Sequence, residues 1–455
     1  MVNRLKCMGL WGLVAPCLCF SEEMQSRELP VQSAAAETVL TLADCVEYAL
    51  EHSPVLAQRA LDHEDRLLDV LIAKSDFDFA VDYGTAYDTG DEAQNHQLTL
   101  RKKLLGNFDV ATTGEIGRDH DTGNDSASWS VRISKQILGG GSYLESRKQI
   151  DDAVIDTTIA LNNISREKRR LVYLVKRQFY RVIREVQSLS IQERRLERAK
   201  KNLEHARERE RPLDITTAEI EVPDNQLQVI RRERSIQAAE DALKELMGME
   251  IEEALALDLD FNFALTQVEV REDIRYATEN QEDFVNNRLA REKIDTDIIL
   301  QRRQIWPDVT LSAEHRAHSE TDAVNLRGED EQRYALAFSW PIGSRRDFAE
   351  YRKEKNNLQR NELDYFSLKQ AKVRTLLDLS RRLAEVEQSI ELQENRLDLV
   401  EFQVELFQDR WENGEIDILE LVRSQNTLED TKVELVNLKV QYLELLAEYF
   451  FEVGR

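Results

Sequence analysis

The residues best placed to do chemistry in this chain are acids beside two helix breaks. "ENGEIDILELVRSQ", from Glu412 to Gln425, sets Glu415, Asp417 and Glu420 next to Gly414 and Ile416, and "RPLDITTAEI" sets Asp214 just after Pro212 and Leu213. Carboxylates in the first turn of a helix are stabilised by its macrodipole, so these acids read as helix-start residues. Other candidates are poorer. "LGGGS", from Leu138 to Ser142, lacks the Gly-Lys-Ser/Thr of a phosphate loop and reads as a strand-to-helix turn. His315 and His318 are three apart, which on a strand puts them on opposite faces and argues against a metal pair. His52, His96, His120 and His205 have no nucleophile beside them, and Cys45 sits among apolar neighbours as a packed thiol. No catalytic residue, metal or cofactor is expected, and the chain is not read as an enzyme.

What must position those acids is long helix. In the segment before Gly414, apolar residues fall at Leu376, Leu379, Leu383, Val386, Ile390, Leu397, Val400, Val404 and Phe407, a heptad spacing broken at Gln393. Leu171, Val175, Phe179, Val182, Val186 and Leu189 make a similar stripe in the first half. Each helix covers about sixty-five residues, about 100 Å at 1.5 Å per residue. Composition agrees: 32% of residues are charged, and 42% are hydrophobic and periodic enough to bury surface. A net charge of −25 argues against a nucleic-acid partner.

The second half echoes the first. "LADCVEYALEHSPVLAQRAL" from Leu42 is answered by "VREDIRYATENQEDFVNNRL" from Val270, aligning Tyr48-Ala49 with Tyr276-Ala277. "ILGGGSYLESRKQ" from Ile137 is answered by "PIGSRRDFAEYRK" from Pro341, and "RPLDITTAEI" by "GEIDILELVR". The expected organisation is a signal peptide over 1–21, a linker over 22–40, a first repeat over 41–250, a linker over 251–268 and a second repeat over 269–455. In the first repeat a helix precedes strands over about 77–138, a long helix over about 142–210 and a helix over about 214–248. The second repeats the plan with strands over about 308–341, a long helix over about 345–412 and a helix over about 416–452.

Extended segments alternate with period two. Phe77, Phe79, Val81, Tyr83 and Tyr87 share one face, as do Trp129, Val131 and Ile133, and Tyr334, Leu336, Phe338 and Trp340. Such strands suit a membrane barrel and a half-buried soluble sheet equally. The N-terminal "CMGLWGLVAPCLCF", preceded by Arg4 and Lys6, reads as a secretory signal and tips the reading toward an outer-membrane barrel; a short membrane anchor is the alternative. Pro16 before Cys17 is a poor context for acylation. Open strand edges are not tolerated in lipid, and a few strands per half cannot close a barrel, so several copies must share one. "HQLTLRKKLLGNFDVATTGEIG" reads as an additional hairpin turning at Leu105-Gly106-Asn107, inside or outside that barrel.

At this point "LTLADCVEYALEHSPVL", "ISKQILGGGSYLESRKQ", "IWPDVTLSAE", "FSWPIGSRRDFAEYR" and "ENGEIDILELVRSQNTLEDTKVELVNLKVQYLELLAEYF" together resemble the TolC family of outer-membrane efflux proteins. The resemblance implies a mainly α fold with membrane β: long coiled-coil helices forming a periplasmic α-barrel, strands contributing to a shared trimeric outer-membrane β-barrel, and two internal structural repeats. It implies a homotrimer in the cell outer membrane, a passive exit duct for efflux or type I secretion, working with a periplasmic adaptor protein and an inner-membrane transporter. Pro212, Leu213, Gly414, Glu415 and Ile416 would then form the adaptor-docking turns at the periplasmic tip. Asp417-Ile418-Leu419-Glu420 matches the family's Asp-x-x-Asp motif, with Asp214 its counterpart in the first half; threefold repetition would make an acidic ring gating the pore. Asn413 stands where such members carry Arg. Trp306 and Trp340 flank the second strand pair, as membrane-interface anchors against outer-membrane lipid or as packing at the strand–helix junction. The competing reading is a secreted or periplasmic coiled-coil scaffold without channel activity, extractable without detergent.

Overall fold

The structure, a computed structural model, describes residues 39–88, 93–104, 106–119, 125–139, 142–208, 212–259, 261, 263–319, 330–340 and 342–455. The expected signal peptide and most of the first linker lie outside the described residues, as does His120. The first half runs α1 (Leu42–His52), α2 (Pro54–Ser75), β1 (Ala80–Asp88), β2 (Ala93–Leu104), β3 (Phe108–Asp119), β4 (Asp125–Leu138), α3 (Ser142–Glu208) and α4 (Pro212–Met247). The second runs α5 (Val270–Asn280), α6 (Glu282–Gln304), β5 (Asp308–Ser319), β6 (Asp330–Ser339), α7 (Arg345–Glu412) and α8 (Ile418–Val453).

Each half therefore opens with two helices where the sequence suggested one. Thr41 caps α1 through a reciprocal pair with Asp44, and the chain turns extended at Ser53 because Pro54 has no N–H to continue the ladder. The matching break between α5 and α6 falls at Gln281, also extended. The rods α3 and α7 have 67 and 68 residues, about 100 Å each. The helix α4 continues through Pro223.

Each half has its own apolar core. Cys45 and Ala49 of α1 pack with Val175, Phe179 and Val182 of α3 and Leu243 and Met247 of α4. Ala277 of α5 packs with Leu376, Leu379 and Leu383 of α7 and Tyr442, Tyr449 and Val453 of α8. The segment between the repeats straps both: Leu255, Leu257 and Leu259 pack on the first core, Phe263 and Val268 on the second. Backbone bonds fix it to Leu40, and the Tyr442 hydroxyl donates to the Thr266 carbonyl at 3.1 Å while accepting from its N–H at 2.9 Å.

The strands make one antiparallel sheet in the order β1-β2-β3-β4-β5-β6, so β4 and β5 join the halves. The additional hairpin is in the sheet, with β2 on β1 and β3 on β4. Its turn needs left-handed backbone at two residues, Gly106 with φ 85° and Asn107 with φ 69°, and Asn107 Nδ2 donates to the Gln136 carbonyl at 3.0 Å.

Candidate functional site

The sheet has two unlike faces. Residues paired across an antiparallel ladder share a face, and the registers place Val81, Tyr83, Leu98, Leu100, Val110, Ile116, Trp129, Ile133, Leu311, Leu336 and Phe338 together. Most of these apolar side chains are exposed in the single chain, a pattern that water penalises and lipid does not. The opposite face carries Asp82, Thr99, Arg101, Thr113, Glu115, Ser130, Arg132, Glu314 and Arg316. Its charges pair across strands: Arg101 with Asp82 at 2.6 Å and Arg132 with Glu314 at 2.8 Å. His315 lies on the apolar face and His318 on the polar one, and among the described residues no cluster of His, Cys, Asp or Glu could hold a metal ion. No described helix is long and apolar enough to cross a membrane. Trp306 stands two residues before β5 and Trp340 directly after β6, both half exposed at the helix end of the sheet.

At the far end of the rods the chain turns twice. Between α7 and α8, Gly414 takes φ 77°, Glu415 N donates to the Arg410 carbonyl at 2.8 Å, and the Arg410 guanidinium meets the Glu415 carboxylate at 3.4 Å. Beneath this turn Trp411, Ile416, Ile418, Leu421 and Val422 pack with Ala206 of α3 and Ala218 of α4. Residues 209–211 of the other turn lie outside the described residues.

This packing sorts the acids and turn residues. Asp417 is the N-cap of α8, exposed, with no side-chain capping bond; Glu420 is exposed one turn on. Glu415 precedes the helix, so it does not belong to the first turn as the sequence suggested. Asp214 is only 5% exposed, because the first turn of α4 lies in the cluster through Ile215 and Ala218, unlike the exposed Asp417 and Glu420. Ile416 is likewise buried in that cluster, whereas Leu213 is 74% exposed and Pro212, Gly414 and Glu415 are exposed as well.

Sequence reasoning missed the polar seam above the tip. Arg198 of α3 donates to Glu429 of α8, Arg195 meets Asp430 at 3.4 Å, and Asn202 Nδ2 donates to Gln425 Oε1 at 2.9 Å. Gln192 reaches Asn225 of α4 at 3.0 Å. Burial, with Arg194 and Arg195 nearby, draws the Arg198 pKa down. Gln425 and Glu429, one helical turn apart on α8 opposite Asn202 and Arg198, were the available signal.

The chain is thus a sheet with an exposed apolar face and a charged face, standing on paired rods about 100 Å long. Residues 274–448, from α5 into α8, match the family described as outer membrane efflux protein. No curated protein sequence matches the chain. Among solved structures the chain is similar to the outer membrane protein VceC from Vibrio cholerae (16% identity over 91% of this chain and 96% of that one, TM-score 0.68). It is also similar to the MtrE outer membrane channel of Neisseria gonorrhoeae in its open state (16%, 91% and 88%, 0.69) and the CmeC outer membrane channel of Campylobacter jejuni (12%, 91% and 85%, 0.68). The family match covers residues 274–448, and the fold over about nine tenths of the chain is that of these outer-membrane channels.

Proposed function

We propose that three copies of this chain form a passive exit duct in the outer membrane, its helical part in the periplasm, serving an inner-membrane transporter through a periplasmic adaptor. The observation that carries this reading is the two-faced sheet on paired rods: apolar side chains from Val81 to Phe338 turned to lipid, charges turned to a lumen. Trp306 and Trp340, at the helix end of the sheet, suit the inner boundary of the bilayer. At the other end the exposed residues Pro212, Leu213, Gly414 and Glu415 offer the adaptor its contact. Asp417 and Glu420 of three copies would set six carboxylates around the closed pore, drawing cations in.

Fractionation of the expressed full chain, then single-channel recording in planar bilayers, tests this. Outer-membrane recovery with a small cation-selective conductance that rises or loses selectivity in Asp417→Ala/Glu420→Ala is the expected result. Conductance unchanged by the double substitution would remove these acids from the gate. A protein that extracts without detergent and conducts nothing would leave a coiled-coil scaffold.

A further inference from the structure

We infer that three copies close one barrel of eighteen strands, with the β2–β3 hairpin as part of its wall and β1 of each copy pairing with β6 of the next. This rests on the duct reading above and extends it to the width of the exit.

The hairpin is held on both flanks. β1 and β2 pair from Ala80–Arg101 to Asp88–Ala93, β3 and β4 from Phe108–Lys135 to Arg118–Asp125, so β1 and β4 are not neighbours. Its strands have 12 residues each, within the 9 to 14 of the other four. Leu98, Leu100, Val110 and Ile116 continue the apolar face across it, and Thr99, Arg101, Thr113 and Glu115 continue the polar one. A hairpin lying in water beside a barrel would have no use for an unbroken apolar face.

The number of residues between successive strands is graded as well. The connection on the helix side spans residues 105–107, whereas those on the far side span 89–92, 120–124 and 320–329. Short turns on the periplasmic side and longer loops outside are the habit of membrane barrels.

The two edges ask for a second copy. β1 and β6 have nine and ten residues, contain no Pro, and carry Val81 and Tyr83, and Tyr334, Leu336 and Phe338, to the rim of the apolar face. Every residue of β6 is exposed. Six alternating strands leave β1 and β6 antiparallel, so copies related by rotation meet edge to edge without reversal. With strands about 4.8 Å apart and tilted about 40°, eighteen of them enclose a wall about 36 Å across, against about 24 Å for twelve. A ring of the α3, α4, α7 and α8 helices of three copies, 8–10 Å apart, is roughly 30 to 38 Å across. The hairpin thus brings the exit to the width of the duct and leaves size selection to the tip.

Electron cryo-microscopy of the full chain in phospholipid nanodiscs is the test. A threefold particle with eighteen strands is expected. A threefold barrel of twelve strands with β2–β3 outside overturns the inference and leaves the duct standing; a soluble particle without a barrel overturns both; any other strand count overturns the inference. Independently, Gly84→Cys/Gln97→Cys and Thr112→Cys/Val131→Cys, each a facing pair in this sheet, should form intrachain disulfides in isolated outer membranes. Loss of either disulfide in membrane-inserted protein would place the hairpin outside the wall.

Discussion

Arg198 on α3 donates to Glu429 on α8, joining the two repeats through a carboxylate that is 5% exposed. Three residues earlier, Arg195 pairs with Asp430, which is 74% exposed. The two pairs bridge the same helices and differ chiefly in the exposure of the acid.

That difference predicts unequal substitutions. Arg198→Ala strands a buried carboxylate and should cost about 3–5 kcal/mol, whereas Arg195→Ala removes a solvated pair worth about 0–1 kcal/mol. Replacing Arg198 and Glu429 together by Leu should restore much of the loss. Thermal unfolding of the helical portion, followed by circular dichroism, checks the order; equal losses for the two alanines would refute the role of burial.

A second contrast concerns two glycines with positive φ. A Cβ on Gly414, φ 77°, meets nothing within 4 Å, so Gly414→Ala carries only backbone strain of about 1–2 kcal/mol. A Cβ on Gly139, φ 102°, would overlap the Asp308 carboxylate and meet its Cα at 3.0 Å. It would also disturb the 2.7 Å bond from Gln136 Nε2 to Asp308 where β4 meets β5. Gly139→Ala should therefore impair assembly of the sheet while Gly414→Ala assembles normally. The yield of membrane-inserted, heat-modifiable oligomer on gels measures this, and normal assembly of Gly139→Ala would contradict the close approach.

The rods were legible because a heptad is a local signal: Leu376, Leu379, Leu383, Val386 and Ile390 are all buried along α7. Gln393, which broke the pattern, is buried too, its Nε2 donating to the Thr431 carbonyl at 3.1 Å. In α3 the stripe drifts, so Ser188 and Ile191 are buried where Leu189 was expected, since 3.6 residues per turn slips against a strict heptad. Alternation gave the two faces of the sheet, but not its order. Whether β2–β3 stands between β1 and β4 depends on pairing between distant segments, and its alternating pattern is the same either way. The burial of Asp214 was hidden for the same reason: it follows from how the start of α4 meets α3 and α8, and a helix-start acid looks alike in sequence whether covered or free.

Cys45 offers a probe of the first core. Its side chain is fully buried among Val175, Phe179, Leu243 and Met247. Burial, with the Asp44 carboxylate adding to it, pushes the thiol up to about 11. The thiolate is the reactive form, so at pH 8 about one molecule in a thousand carries it in the folded chain, against roughly a quarter for a free thiol. Raising the pH toward 11 should increase labelling only as far as the core opens, because the ionised form is the one that burial disfavours. The folded protein treated with iodoacetamide at pH 8 should therefore keep Cys45 unmodified, and the same protein in concentrated urea should lose it completely, read by mass spectrometry of the peptide that contains it. Labelling at equal rates in both conditions would mean that α1 does not pack on α3 and α4 as described.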